Sequence, residues 1–183
     1  MKRVIYMVVF SLLVTMLPMR AAGTQLEIPA KSALLMDMAT GTVLYEQNAH
    51  EKLAPASVTK VMTILLTLEA VDAGSVGLDD RVPVSARAMS MGGSQVFLDV
   101  GKRYPLRDLL KSVIVASAND AAVALAEFTM GSEENFVSLM NQRAVELGMN
   151  NTNFINCCGL DVSGHVTSAR DVAIMSRELI TKH

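Results

Sequence analysis

The run VTKVMTILLTLEA, from Val58 to Ala70, carries apolar side chains around most of a helical circumference and contains no glycine or proline. A helix that is apolar on most sides must be enclosed by other elements, so this run dictates a packed core. Pro55 fits just ahead of or inside its first turn, where a missing N–H costs nothing, and this puts Ser57 at the helix start. Residues three apart share a helix face, so the Ser57 hydroxyl and the Lys60 ammonium can reach hydrogen-bond distance. Two readings stand side by side. One is an N-cap serine followed by a surface lysine; the other is a reactive pair. Ser-x-x-Lys arises by chance about once in a chain of this size, so the spacing does not decide between them.

A chain of 183 residues can bury one substantial core and is short for two. Its net charge of −2 and lack of basic clusters argue against a nucleic-acid surface. The first 23 residues run from Lys2 and Arg3 through an apolar stretch to Ala21, Ala22 and Gly23, the order of a secretory signal peptide cleaved after Ala22 or Gly23. An uncleaved membrane anchor is the alternative, against which Pro18 and the shortness of the run speak. Export implies an extracytoplasmic location, at the outer face of the membrane, the cell wall or the periplasm. The two cysteines, Cys157 and Cys158, are adjacent and could bridge only through a strained ring, so they read as small, partly buried residues. No His/Cys/Asp cluster has metal spacing, no cofactor is implied, and His50, His165 and His183 read as surface residues.

Along residues 24–183, Ser32–Met38 and Thr42–Asn48 are strand-like runs that form a β-hairpin around Ala39, Thr40 and Gly41. The helix opening at Ser57 stops near Gly74, and Asp80–Ser85 is extended. RAMSMGGSQVFLDVGKRY reads as loop with a strand at Gln95–Leu98. From Pro105 a helix spaces Leu106, Leu109, Leu110, Val113 and Ile114 along one face. A second follows from SAND to Gly131, and a third is capped by Ser132 and closed by Gly148. A loop then leads to a last helix capped by Thr167 or Ser168.

Between two of these helices lies the polar triplet Ser117-Ala118-Asn119, which must find partners inside the fold. Alone it is a helix cap. With PASVTK about sixty residues upstream, it matches two of the three motifs of penicillin-recognising serine enzymes, the third being Lys-Thr-Gly. The chain closely resembles the low-molecular-mass penicillin-binding proteins that are serine D-alanyl-D-alanine carboxypeptidases. The resemblance runs through ALLMDMATGTVLYEQNAHEKLAPASVTKVMT, GGSQVFLDVG, SVIVASANDAAVALAE, LMNQRAVELGMNNTNF and GLDVSGHVTSARDVA.

That resemblance implies an α+β, β-lactamase/transpeptidase-like fold. It implies a peptidoglycan stem peptide ending in D-Ala-D-Ala as substrate, and β-lactams as covalent inhibitors. Ser57 becomes the nucleophile, Lys60 its general base, Ser117 a proton relay to the leaving amine, and Asn119 the holder of the substrate amide. The residues agree with these roles: a serine needs a base, and a lysine can be one only when burial and a helix N-terminus disfavour its ammonium. The middle triplet residue is commonly glycine in the family and is Ala118 here, and the cysteine doublet before Gly159 is unusual. No Lys-Thr-Gly occurs in the 183 residues, so they read as the N-terminal portion of a carboxypeptidase domain, with the C-terminal sheet strands and any C-terminal membrane-associating segment missing. Such a portion by itself is expected to be inactive. A class A β-lactamase-like hydrolase and a non-catalytic penicillin-binding remnant are the alternatives; the first lacks its Glu-x-x-x-Asn element after Asn119.

Overall fold

The computed structural model describes residues 28–183, and the leader expected over residues 1–23 lies outside the described residues. The hairpin forms as its alternation predicts. β1 (Ala33–Met36) and β2 (Val43–Gln47) pair antiparallel, with Leu34 opposite Glu46. The turn between them is closed by Asp37, whose carboxylate accepts from the Thr40 amide at 2.7 Å and hydroxyl at 2.6 Å. A second two-stranded sheet joins β3 (Arg81–Pro83) to β4 (Arg103–Pro105). No strand forms at Gln95–Leu98, contrary to expectation, because the amides of Val96 and Leu98 are taken by the buried carboxylate of Asp120 rather than by a neighbouring strand.

The apolar run becomes α1 (Lys60–Asp72), preceded by a 3₁₀ turn over Ala56–Thr59. Ser57 therefore sits inside the tighter turn, one step ahead of the α-helix proper. Gly74 takes a left-handed φ of +70°, which ends the helix where the sequence predicts. Inside the stretch read as loop, Ser85 accepts from the Ala88 amide at 2.9 Å and starts a single-turn helix, α2 (Ala86–Met89). α3 (Leu106–Ala116) buries Leu106, Leu109, Leu110 and Val113, but Ile114 is exposed and does not extend that face.

α4 (Asn119–Met130) is the axis of the molecule. It packs against α1, α2, α3, β3 and α5 (Glu133–Glu146), and its residues Asn119–Ala126 are all buried. Alanines at 121, 122, 124 and 126 keep that helix thin enough for neighbours on every side. Ser132 caps α5, accepting from the Asn135 amide at 3.1 Å. Ser168, rather than Thr167, caps α6 (Ala169–Lys182), which packs on α1 and β1. Among the described residues no helix is long and apolar enough to cross a membrane.

Candidate active site

The 3₁₀ turn is forced open at its start: Ala56 adopts a left-handed φ of +47°, a costly conformation for a residue with a Cβ. The turn lifts Ser57 to the surface while Lys60, three residues on, points inward and is only 3% exposed. The lysine of the cap reading is thus a buried residue. Its Nζ lies 3.2 Å from Ser57 Oγ and donates to the Cys158 carbonyl at 2.7 Å. No carboxylate pairs with it among the described residues. Burial holds the ammonium below the ordinary lysine range, opposed by the pull of negative charge on the neighbouring cysteine sulfurs, Cys158 first.

The wall facing this pair is the loop Asn156–Leu160. Asn156 Oδ1 gathers three amides of its own loop, from Cys158 at 3.2 Å, Gly159 at 2.6 Å and Leu160 at 3.1 Å. That curl turns the Cys158 carbonyl toward Lys60 and the Cys157 carbonyl toward the Thr63 hydroxyl, 2.5 Å away. Gly159 then lies against the Ala56 backbone so closely that a Cβ there would come within 1.8 Å of the Ala56 carbonyl oxygen. The doublet expected to be partly buried is fully buried and unbridged, and a side-chain hydrogen bond with Cys158, burial and the charge of Glu133 push the Cys157 thiol well above the ordinary cysteine range.

His165 corrects a further expectation. It is buried, 3% exposed, with Nδ1 accepting from the Ile155 amide at 3.0 Å and Nε2 2.8 Å from the Thr59 hydroxyl. His50 is exposed, and His183 stands 2.7 Å from an Asp72 carboxylate oxygen.

The second triplet forms the junction of α3 and α4. Ser117 ends α3 in the left-handed region at φ +53°, and its hydroxyl makes no hydrogen bond among the described residues. Asn119 opens α4 at 5% exposure. Its backbone amide donates to Ser94 O at 2.7 Å and its Nδ2 to Gly92 O at 2.6 Å, pinning the glycine loop. Its Oδ1 is buried without a partner. The structure thus joins Ser57 to Lys60 by direct contact, while Ser117 and Asn119 share no hydrogen bond with either. A cavity of about 580 Å³ lined by Arg87, Glu133, Phe154 and Leu160 includes none of the four.

Sequence reasoning missed the Cys158 carbonyl, Gly159, Asn156 and the Thr59–His165 contact. Asn156 and Gly159 carried a turn signal; the inward rotation of a lone histidine carried none.

Residues 19–183 match a family model described as D-alanyl-D-alanine carboxypeptidase. The chain is 52% identical over 157 residues to the D-alanyl-D-alanine carboxypeptidase DacF of Bacillus subtilis, covering 86% of this chain and 40% of that one. The solved D-alanyl-D-alanine carboxypeptidase DacD from Francisella tularensis superposes with a TM-score of 0.85 at 38% identity, over 86% of this chain and 38% of that one. Penicillin-binding protein D2 from Listeria monocytogenes, solved with ampicillin bound, gives a TM-score of 0.76 at 33% identity, over 86% of this chain and 64% of that one. The chain spans about 40% of the length of the curated relatives it matches. These likenesses show the expected penicillin-binding protein fold, and they favour the carboxypeptidase reading over the class A β-lactamase-like one.

Proposed function

The chain belongs to the D-alanyl-D-alanine carboxypeptidase family, and from that premise we propose that Ser57 is the acyl-accepting nucleophile of an enzyme that removes the terminal D-alanine from peptidoglycan stem pentapeptides. The observation that carries this is the 3.2 Å approach of a buried, carboxylate-free Lys60 to Ser57 Oγ. A neutral amine has two N–H bonds and one lone pair. With one N–H held by the Cys158 carbonyl, the lone pair can face the serine proton.

Ser57 Oγ adds to the carbonyl carbon of the penultimate D-alanine as Lys60 takes its proton. The Ser57 amide, at the positive end of the helix, contributes to stabilising the oxyanion. Ser117, whose hydroxyl is uncommitted, passes the proton to the departing D-alanine nitrogen, and the C–N bond breaks to leave a Ser57 ester that water hydrolyses. The buried Oδ1 of Asn119 is an acceptor in want of a donor, and in this reading the side chain turns outward to take a peptide N–H of the substrate. Penicillins acylate the same oxygen by opening their lactam ring. Residues 1–23 are the export leader in this reading and residues 24–183 part of the catalytic domain, placing the reaction outside the cytoplasm at the cell wall.

The test is D-alanine release from a stem pentapeptide by the full-length protein. Ser57→Ala is expected to abolish it, on the order of a thousandfold or more. Release by that variant at the parent rate removes Ser57 from the mechanism.

A further inference from the structure

We propose that His165 is a positioning residue for acylation: fixed in one tautomer by the Ile155 amide, it donates from Nε2 to the Thr59 hydroxyl and so holds the turn that carries Ser57 and Lys60. The inference rests on the acyl-enzyme reading above.

The tautomer follows from the bonds. Nδ1 accepts from the Ile155 N–H at 3.0 Å, so it bears no proton, and in the neutral ring the proton must be on Nε2. Nε2 then donates across 2.8 Å to Thr59 Oγ1, a fully buried oxygen next to Lys60 in sequence and two residues after Ser57. Thr59 also meets Gly159, whose hypothetical Cβ would stand 3.0 Å from the same Oγ1. The 3₁₀ turn is therefore gripped on two sides by one segment: by Gly159 at Ala56 and by His165 at Thr59. Phe154 sets the plane of the imidazole, edge-on at 5.9 Å between ring centroids.

A left-handed Ala56 needs such a grip, because without it the turn can relax toward ordinary helix and swing the serine away from the amine. Protonation of His165 removes the grip from one end. A proton on Nδ1 faces the Ile155 N–H, two donors pointing at each other, and the loop between Asn153 and Val166 must shift to separate them. The ionisable groups around the ring are Asp161 on its own loop, which favours the proton, and Lys60 next to Thr59. Burial outweighs Asp161 and keeps the ring neutral around pH 7.

The experiment measures covalent labelling of the full-length protein by a fluorescent penicillin from about pH 4.5 to 9. The proteins compared are the parent, His165→Ala, His165→Gln and Ser57→Ala, and ¹⁵N NMR of the parent reads the imidazole tautomer. The parent should show a bare Nδ1 and a protonated Nε2, and its labelling rate should fall more steeply than one ionisation allows on the acid side. His165→Gln can donate to Thr59 and accept from Ile155 but cannot titrate. It should restore most of the rate and lose the lower ionisation. His165→Ala should label on the order of tenfold or more slowly where His165 is neutral in the parent, the difference narrowing toward acid. An Nδ1–H tautomer in the parent, an unchanged acid limb in His165→Gln, or parent-rate labelling of His165→Ala overturns the proposal. If the alanine variant does not fold, the tautomer and the glutamine profile still decide. Ser57→Ala separates the two levels, since labelling there at the parent rate overturns the acyl-enzyme reading itself.

Discussion

Buried between a hydroxyl and a carbonyl, the Lys60 ammonium gives up hydration without gaining a carboxylate, so losing its proton relieves part of that cost. The sign follows. Its pKa lies below the ordinary lysine value of about 10.4, so the neutral, base-competent fraction at any working pH is raised. Penicillin labelling should increase with pH through a midpoint below that value. Lys60→Arg should label on the order of a hundredfold or more slowly, because a guanidinium keeps its proton at every accessible pH. Rapid labelling of the arginine variant, followed by gel fluorescence over time, would show that another group takes the serine's proton. The same physics gives His165 a stability signature. Its native pKa is lowered by burial, so the unfolded chain binds more protons between the two values. Its contribution is complete above the unfolded value of about 6.5 and is lost as pH falls through the native one.

At the level of elements, the turn that carries Ser57 was legible, and the segment that grips it was not. The longer helices were legible to within a turn, since caps at Ser132 and Ser168, the apolar runs of α1 and α3, and the stop at Gly74 are local signals, whereas the single turn α2 and the exposure of Ile114 were not. That Ser57 and Lys60 share a turn was legible from their spacing, but the spacing left cap and reactive pair undecided, and the pairing was singled out by the second triplet and the family resemblance. The loops depend on side chains that reach across the fold. Asp120 draws Val96 and Leu98 away from strand geometry from more than twenty residues off, and Asn156 curls its loop toward Lys60, about a hundred residues earlier. No periodicity records such contacts. The prediction at this scale is Gly159→Ala. Left-handed backbone at φ +86° costs an alanine about 1 to 2 kcal/mol before any contact is counted. The new methyl then collides with the Ala56 carbonyl, so the loop and the turn must part. Thermal melts should show a lowered midpoint, and labelling at saturating stability should still fall on the order of tenfold. A variant that melts lower but labels at the parent rate would make Gly159 a packing residue alone.

Over the whole molecule, the described residues supply helices on every side of α4 and two sheets of two strands each. A two-stranded ribbon is marginal in water, and Leu35, Met38 and Leu44 on the hairpin are each more than half exposed. The 183 residues hold the proposed nucleophile, base, relay and amide holder, Ser57, Lys60, Ser117 and Asn119, but no Lys-Thr-Gly. Residues 24–183 prepared alone should therefore label with penicillin at least a hundredfold more slowly than a chimera continued through the C-terminal part of the Bacillus subtilis relative. Equal rates in the two would mean that the four residues suffice without a further wall, and no labelling in either would favour the non-catalytic remnant. The account stands most directly on where the acyl group goes. Peptide mapping by mass spectrometry of the full-length protein after brief exposure to a penicillin should find one adduct of the intact drug, on the peptide containing Ser57 and absent from Ser57→Ala. An adduct on Ser117, or one that survives in Ser57→Ala, would contradict it.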